Sequence, residues 1–94
     1  MIAVYVRASW LEEIGDMQQS LVRESGPARD VVSLLAGEAH VSYPFIDAKI
    51  VRRQASDREG VFLTVRIPVD AVRGIIDLTE AEEKNYGFMG PGKR

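Results

Sequence analysis

Cysteine is absent from this chain, which removes disulfides, thiolate metal sites, iron–sulfur clusters and cysteine nucleophiles together. A reducing compartment fits that composition. Histidine occurs once, as His40, so a multi-histidine metal site or a serine–histidine constellation would have to be built around a single imidazole. The sequence contains no Gly-x-Ser-x-Gly elbow, no phosphate-cradling glycine loop, no His-Glu-x-x-His pair and no calcium-loop spacing. Neither a cofactor nor a metal is expected, and the chain is not expected to be an enzyme. No apolar run approaches the roughly 18 residues of a membrane span. Met1 leads straight into the strand-like Ile2 to Val6, without the basic flank or small-residue cleavage site of a signal peptide. The simplest expectation is a cytoplasmic protein with no membrane partner.

An excess of charge of either sign is also lacking. Twelve Lys and Arg against 14 Asp and Glu leave a formal charge of −2, so no global field draws the chain to nucleic acid, and polyanion contact would need a local patch. Ninety-four residues, 46% hydrophobic and 28% charged, suffice for one hydrophobic core but not two. They show none of the apolar depletion that accompanies disorder. One domain over residues 1–89 is expected, followed by a flexible tail at 90–94. Gly90, Pro91, Gly92, Lys93 and Arg94 have little to bury, whereas Phe88 should pack on the domain.

Hydrophobic spacing supplies the element order. Ile2, Val4 and Val6 alternate with Ala3, Tyr5 and Arg7, the period of a half-buried strand. Ser9 and Glu12 have the spacing of a capping box ahead of a helix over about 10–25. Its apolar arc would hold Trp10, Leu11, Ile14, Met17, Leu21 and Val22, and Gly26 with Pro27 would end it. Ala28, Val31, Val32, Leu34 and Leu35 fit a second short helix over 28–36, although the same β-branched run also fits a strand. His40 then falls in a loop, Gly37 to Ser42. Phe45 to Gln54 and Val61 to Val69 alternate around a polar stretch and read as a hairpin. Arg73 to Leu78 adds a strand, and Thr79 with Glu82 caps a last helical turn closed by Gly87. The expected class is α+β, ordered β-α-α-β-β-β-α, with a mostly antiparallel sheet and the first two helices packed on one face.

Register within the hairpin decides what its outer face carries. Ile46, Ala48 and Ile50 must share the core side with Val61, Leu63, Val65 and Ile67, and two registers satisfy this. One sets Lys49 opposite Arg66. The other pairs Asp47 with Arg66, Lys49 with Thr64 and Val51 with Phe62, and it should win because it avoids juxtaposed like charges. The face turned from the core then holds Asp47, Lys49, Val51, Arg53, Phe62, Thr64 and Arg66, and its mixture of Val51 and Phe62 with three cations resembles surfaces that meet a partner. The first expectation for function is a non-enzymatic interaction or regulatory module that forms a homodimer or docks on a protein partner through this sheet face. The second is a nucleic-acid or other polyanion binder that uses the same cations with Phe62 as a stacking surface. The third is a small-ligand carrier or enzyme whose site lies between helices and sheet, with His40 or a carboxylate as its acid–base group. Asp77, Glu80, Glu82 and Glu83 suit the positive end of the last helix better than a divalent ion, and Trp10 reads as a core anchor.

Overall fold

The computed structural model describes residues 1–53 and 60–84, with side chains described through Glu82. The expected Gly87 stop, the docking of Phe88, the tail and the polar stretch around Arg58 lie outside the described residues. Strand β1 spans Ile2–Arg7 and passes directly into helix α1, Ala8–Glu13. A 3-10 segment, Gly15–Ser20, leads to the short strand β2, Arg23–Ser25. The long strand β3, Val31–Ser42, follows, then β4, Phe45–Val51, and β5, Phe62–Pro68. A 3-10 turn at Val69–Ala71 joins β5 to β6, Val72–Asp77, and helix α2, Glu80–Lys84, comes last.

All pairings are antiparallel, and the sheet runs β5-β4-β3-β1-β6. One edge of β3 pairs with β1, while its other edge is shared, with β2 along Val32–Leu34 and β4 along Ala36–Ser42. β2 thus continues the line of β4. Backbone bonds from Val22 to the Val51 carbonyl (2.9 Å) and from Arg53 to the Ser20 carbonyl (2.8 Å) lock that junction.

Only three residues separate β5 from β6, although the two occupy opposite ends of the strand order. In a flat sheet those ends would lie about 19 Å apart, four inter-strand spacings. Four residue steps reach only about 14 Å. The sheet therefore curls, and its concave side gathers Val4, Val6, Leu34, Ile50, Val65 and Ile67 with Trp10, Leu11 and Leu21 into one core. Each such side chain contributes about 1.5–3 kcal/mol by leaving water. A second, smaller cluster of Val22, Leu35 and Val51, flanked by Met1 and Leu78, lies on the other side.

The helix expected over 10–25 is shorter than its stripe implied. Trp10, Leu11 and Ile14 do pack on the core, but Gly15 takes a left-handed conformation, φ 66°, which an α-helix interior excludes. Beyond it Met17 is exposed, and Leu21 and Val22 enter the sheet on opposite sides. The expected Ser9–Glu12 box does not form. The helix begins at Ala8 without a side-chain cap, and the Ser9 hydroxyl accepts a bond from Arg7 Nε (2.8 Å).

Residues 28–36 are not a second helix, and 37–42 are not a loop: both belong largely to β3. Leu34 and Leu35 are each fully buried, one toward each cluster. A central strand covered on both faces shows a continuous apolar run instead of an alternation, and such a run also satisfies helical spacing. The expectation of two helices packed side by side falls with this. Gly26 and Pro27 lie at the turn into β3, closed by the Gly26 amide on the Val31 carbonyl (2.9 Å). The hairpin strands and the final cap form as expected. Thr79 N donates to Glu82 Oε1 (2.9 Å) and Glu82 N to Thr79 Oγ1 (3.2 Å).

Candidate functional site

The β4–β5 register pairs Asp47 with Arg66, Lys49 with Thr64 and Val51 with Phe62, the arrangement favoured by charge. On this face the side chains do not form one apolar, cationic patch. Val51 is fully buried within the Val22–Leu35 cluster. Phe62 reaches across β4 toward β3, where a Cβ placed on Gly37 would come within 2.8 Å of its ring. The glycine makes room for the ring, and Phe62 is left 39% exposed. Val61, expected to face the core, is exposed, and the core row of β5 starts at Leu63. Arg53 lies beyond the end of β4, its backbone tied to Ser20.

The two remaining cations of the face are matched by carboxylates. Arg66 donates to Asp47 through Nε (2.8 Å) and Nη2 (3.2 Å), with its guanidinium 5.4 Å from the Phe45 ring centre. Lys49 Nζ lies 2.9 Å from Glu38 Oε1, and His40 Nε2 lies 2.8 Å from Glu38 Oε2. The Lys49 hydrogen bond, with the His40 contact behind it, holds the Glu38 carboxyl below the usual carboxylate range. The Arg66 hydrogen bond does the same for Asp47. Glu38 and His40 join this row because β3 continues through 37–42, opposite Lys49 and Asp47. Sequence reasoning did not single out Glu38 and placed His40 in a loop, so neither was expected on this row. His40 stands exposed on the strand and not between helix and sheet. Among the described residues no group of three or more His, Cys, Asp or Glu is placed to hold a metal ion, and no helix is long and apolar enough to cross a membrane.

Apolar exposure also occurs elsewhere, at Val41 and Tyr43 near the β3–β4 turn and on the last strand of the sheet. Ile75 and Ile76 of β6 are 40% and 42% exposed. They point to opposite sides of the sheet, because Ile75 pairs with Val4 and Ile76 with Ala3. β6 ends the strand order, and among the described residues no strand pairs with its outer edge. The Leu78 amide donates to the Met1 carbonyl (2.9 Å), which sets the alternation of the β1–β6 ladder. Bonded pairs fall at Met1–Leu78 and Ala3–Ile76, so the N–H and C=O groups of Ile75 and Asp77 point outward. No family model, curated protein or solved structure matches this chain.

Proposed function

We propose that this chain is a non-enzymatic protein-interaction module that associates by adding a strand to its own sheet along the outer edge of β6. One observation carries the reading. The backbone groups of Ile75 and Asp77 point away from β1, between isoleucines exposed on both sides. A strand laid there gains ladder hydrogen bonds and covers apolar surface above and below the sheet. The sheet face of Lys49, Phe62, Thr64 and Arg66 is the weaker docking surface. Lys49 and Arg66 already have carboxylate partners, Phe62 leans on Gly37, and Val51 is internal. A polyanion binder on that face would have to break both ion pairs first.

Amide exchange tests the reading directly. An isotope-labelled chain is followed at the Ile75 and Asp77 amides, dilute in buffer, concentrated in buffer, and dilute in native lysate. Protection that rises with chain concentration or in lysate supports strand addition. Amides that exchange freely under all three conditions overturn it.

A further inference from the structure

Resting on that reading, we propose that the partner is a second copy of this chain, joined by a two-fold antiparallel β6–β6 ladder centred on Ile75. The register follows from which groups point outward and from the order of side chains along the strand. With Ile75 and Asp77 directed away from β1, a two-fold axis at Ile75 makes Ile75 a hydrogen-bonded pair with its own equivalent. The next facing positions are Asp77 with Arg73 of the second copy and Arg73 with Asp77 of the second copy. Opposite charges therefore meet twice, once on each side of the axis, and each such pair adds to ladder stability.

The intervening positions also match. Ile76 falls opposite Gly74 of the second copy in a close non-bonded pair, where it would meet the Tyr5 ring that lies 3.5 Å from the place of a Gly74 Cβ. Arg73, Ile75, Ile76 and Asp77 are all exposed. Arg73 sits at the irregularity between the Tyr5–Gly74 and Val6–Val72 pairs. One of its guanidinium nitrogens donates to the Asp70 carbonyl (2.7 Å), and the remaining donors of the fork can meet a carboxylate. Sliding the ladder by one residue to either side brings Arg73 opposite Ile76 or Leu78 and separates the charges. No neighbouring register pairs both ions.

A charge exchange tests the ladder on the full chain. Arg73→Asp and Asp77→Arg are made singly, and the dimer constant is measured by sedimentation. Each single variant would set like charges opposite each other twice, so its homodimer should weaken by about tenfold or more. Mixed in equal amounts, the two variants should form a heterodimer, since every 73–77 contact between them is attractive. Singles that dimerise like the parent, or a mixture that stays monomeric, overturn the proposal.

An independent arm uses the cysteine-free background. Ile75→Cys should form a disulfide-linked dimer under mild oxidation, because bonded antiparallel pairs hold Cα atoms about 5.5 Å apart. Met17→Cys, exposed on the 3-10 segment, should not. Absence of the Ile75→Cys cross-link also overturns the ladder. If the β6 amides are protected in lysate while the charge exchange and the cross-link fail, the partner is another protein and strand addition survives. If those amides are unprotected and the parent is monomeric, both readings fall.

Discussion

The two ends of the sheet treat their outermost strands in opposite ways. β5 follows the period of a half-buried strand: Val65 and Ile67 are buried in the core, and Thr64 and Arg66 are exposed. Its cation is held by Asp47 on the neighbouring strand, and Pro68 ends the ladder with a residue that has no N–H to offer. β6 has exposed isoleucines on both sides, with Arg73 and Asp77 two residues to either side of Ile75. β5 also exposes Phe62, but that ring lies over Gly37 of β3. The exposed isoleucines of β6 are the surface that the proposed strand addition would cover.

The comparison breaks most visibly in stability. Ile67→Ala on β5 empties a fully buried site and should cost about 2–5 kcal/mol. It would be read as a lower midpoint of urea unfolding in dilute protein. A cost below about 1 kcal/mol would mean that β5 is not anchored in the core as its burial implies. Phe62→Ala comes next, at about 1–3 kcal/mol, since its ring is partly exposed but packs over Gly37. Gly37→Ala should destabilise the parent and have much less effect in the Phe62→Ala background, a non-additivity that a double-mutant cycle measures.

Ile75→Thr should leave monomer stability within about 0.5 kcal/mol, because threonine keeps strand propensity at an exposed edge. The same substitution should weaken self-association. A large loss of stability in dilute protein would show that Ile75 serves the fold, and the contrast between the edges would vanish. The smallest expected effect is electrostatic and belongs to the β5 side. The folded carboxyls of Glu38 and Asp47 lie below the ordinary range. Their ion pairs therefore add stability that is fully present above the unfolded pKa of about 4, and that stability is lost as pH falls through the lower folded values. Both pairs are solvent-exposed, so the slope is shallow. Glu38→Gln combined with Asp47→Asn should flatten it, and an unchanged acid slope in that variant would place its origin elsewhere.

Where one period and one burial pattern coincided, the sequence was legible. β1, β4 and β5 alternate in sequence, although Ala3 of β1 and Val51 of β4 are buried on the second face as well, and the charges of Asp47, Lys49 and Arg66 were enough to choose between two hairpin registers. The Thr79–Glu82 cap was readable because both partners lie within four residues. β3 was not readable, since Val31, Leu34 and Leu35 satisfy helical spacing and strand burial equally well. The candidate surface moved for a related reason. Sequence placed Val51 and Phe62 on an outer face, but it had no means of showing that a separate cluster would cover Val51, or that Gly37 two strands away would receive the Phe62 ring.

Local chemistry in the sequence thus determined the antiparallel hairpin, its register, the final helix cap and the exclusion of cysteine chemistry, because each depends on residues close together in the chain. Tertiary structure alone decided that β3 is a strand, that β2 and β4 share one of its edges, and that β6 crosses to the far side of β1. Those outcomes depend on which surfaces meet across long stretches of chain. A run such as Val31–Ala36 takes its conformation from the layers that cover it, and Ile75 and Ile76 are exposed on a strand that ends the sheet order among the described residues.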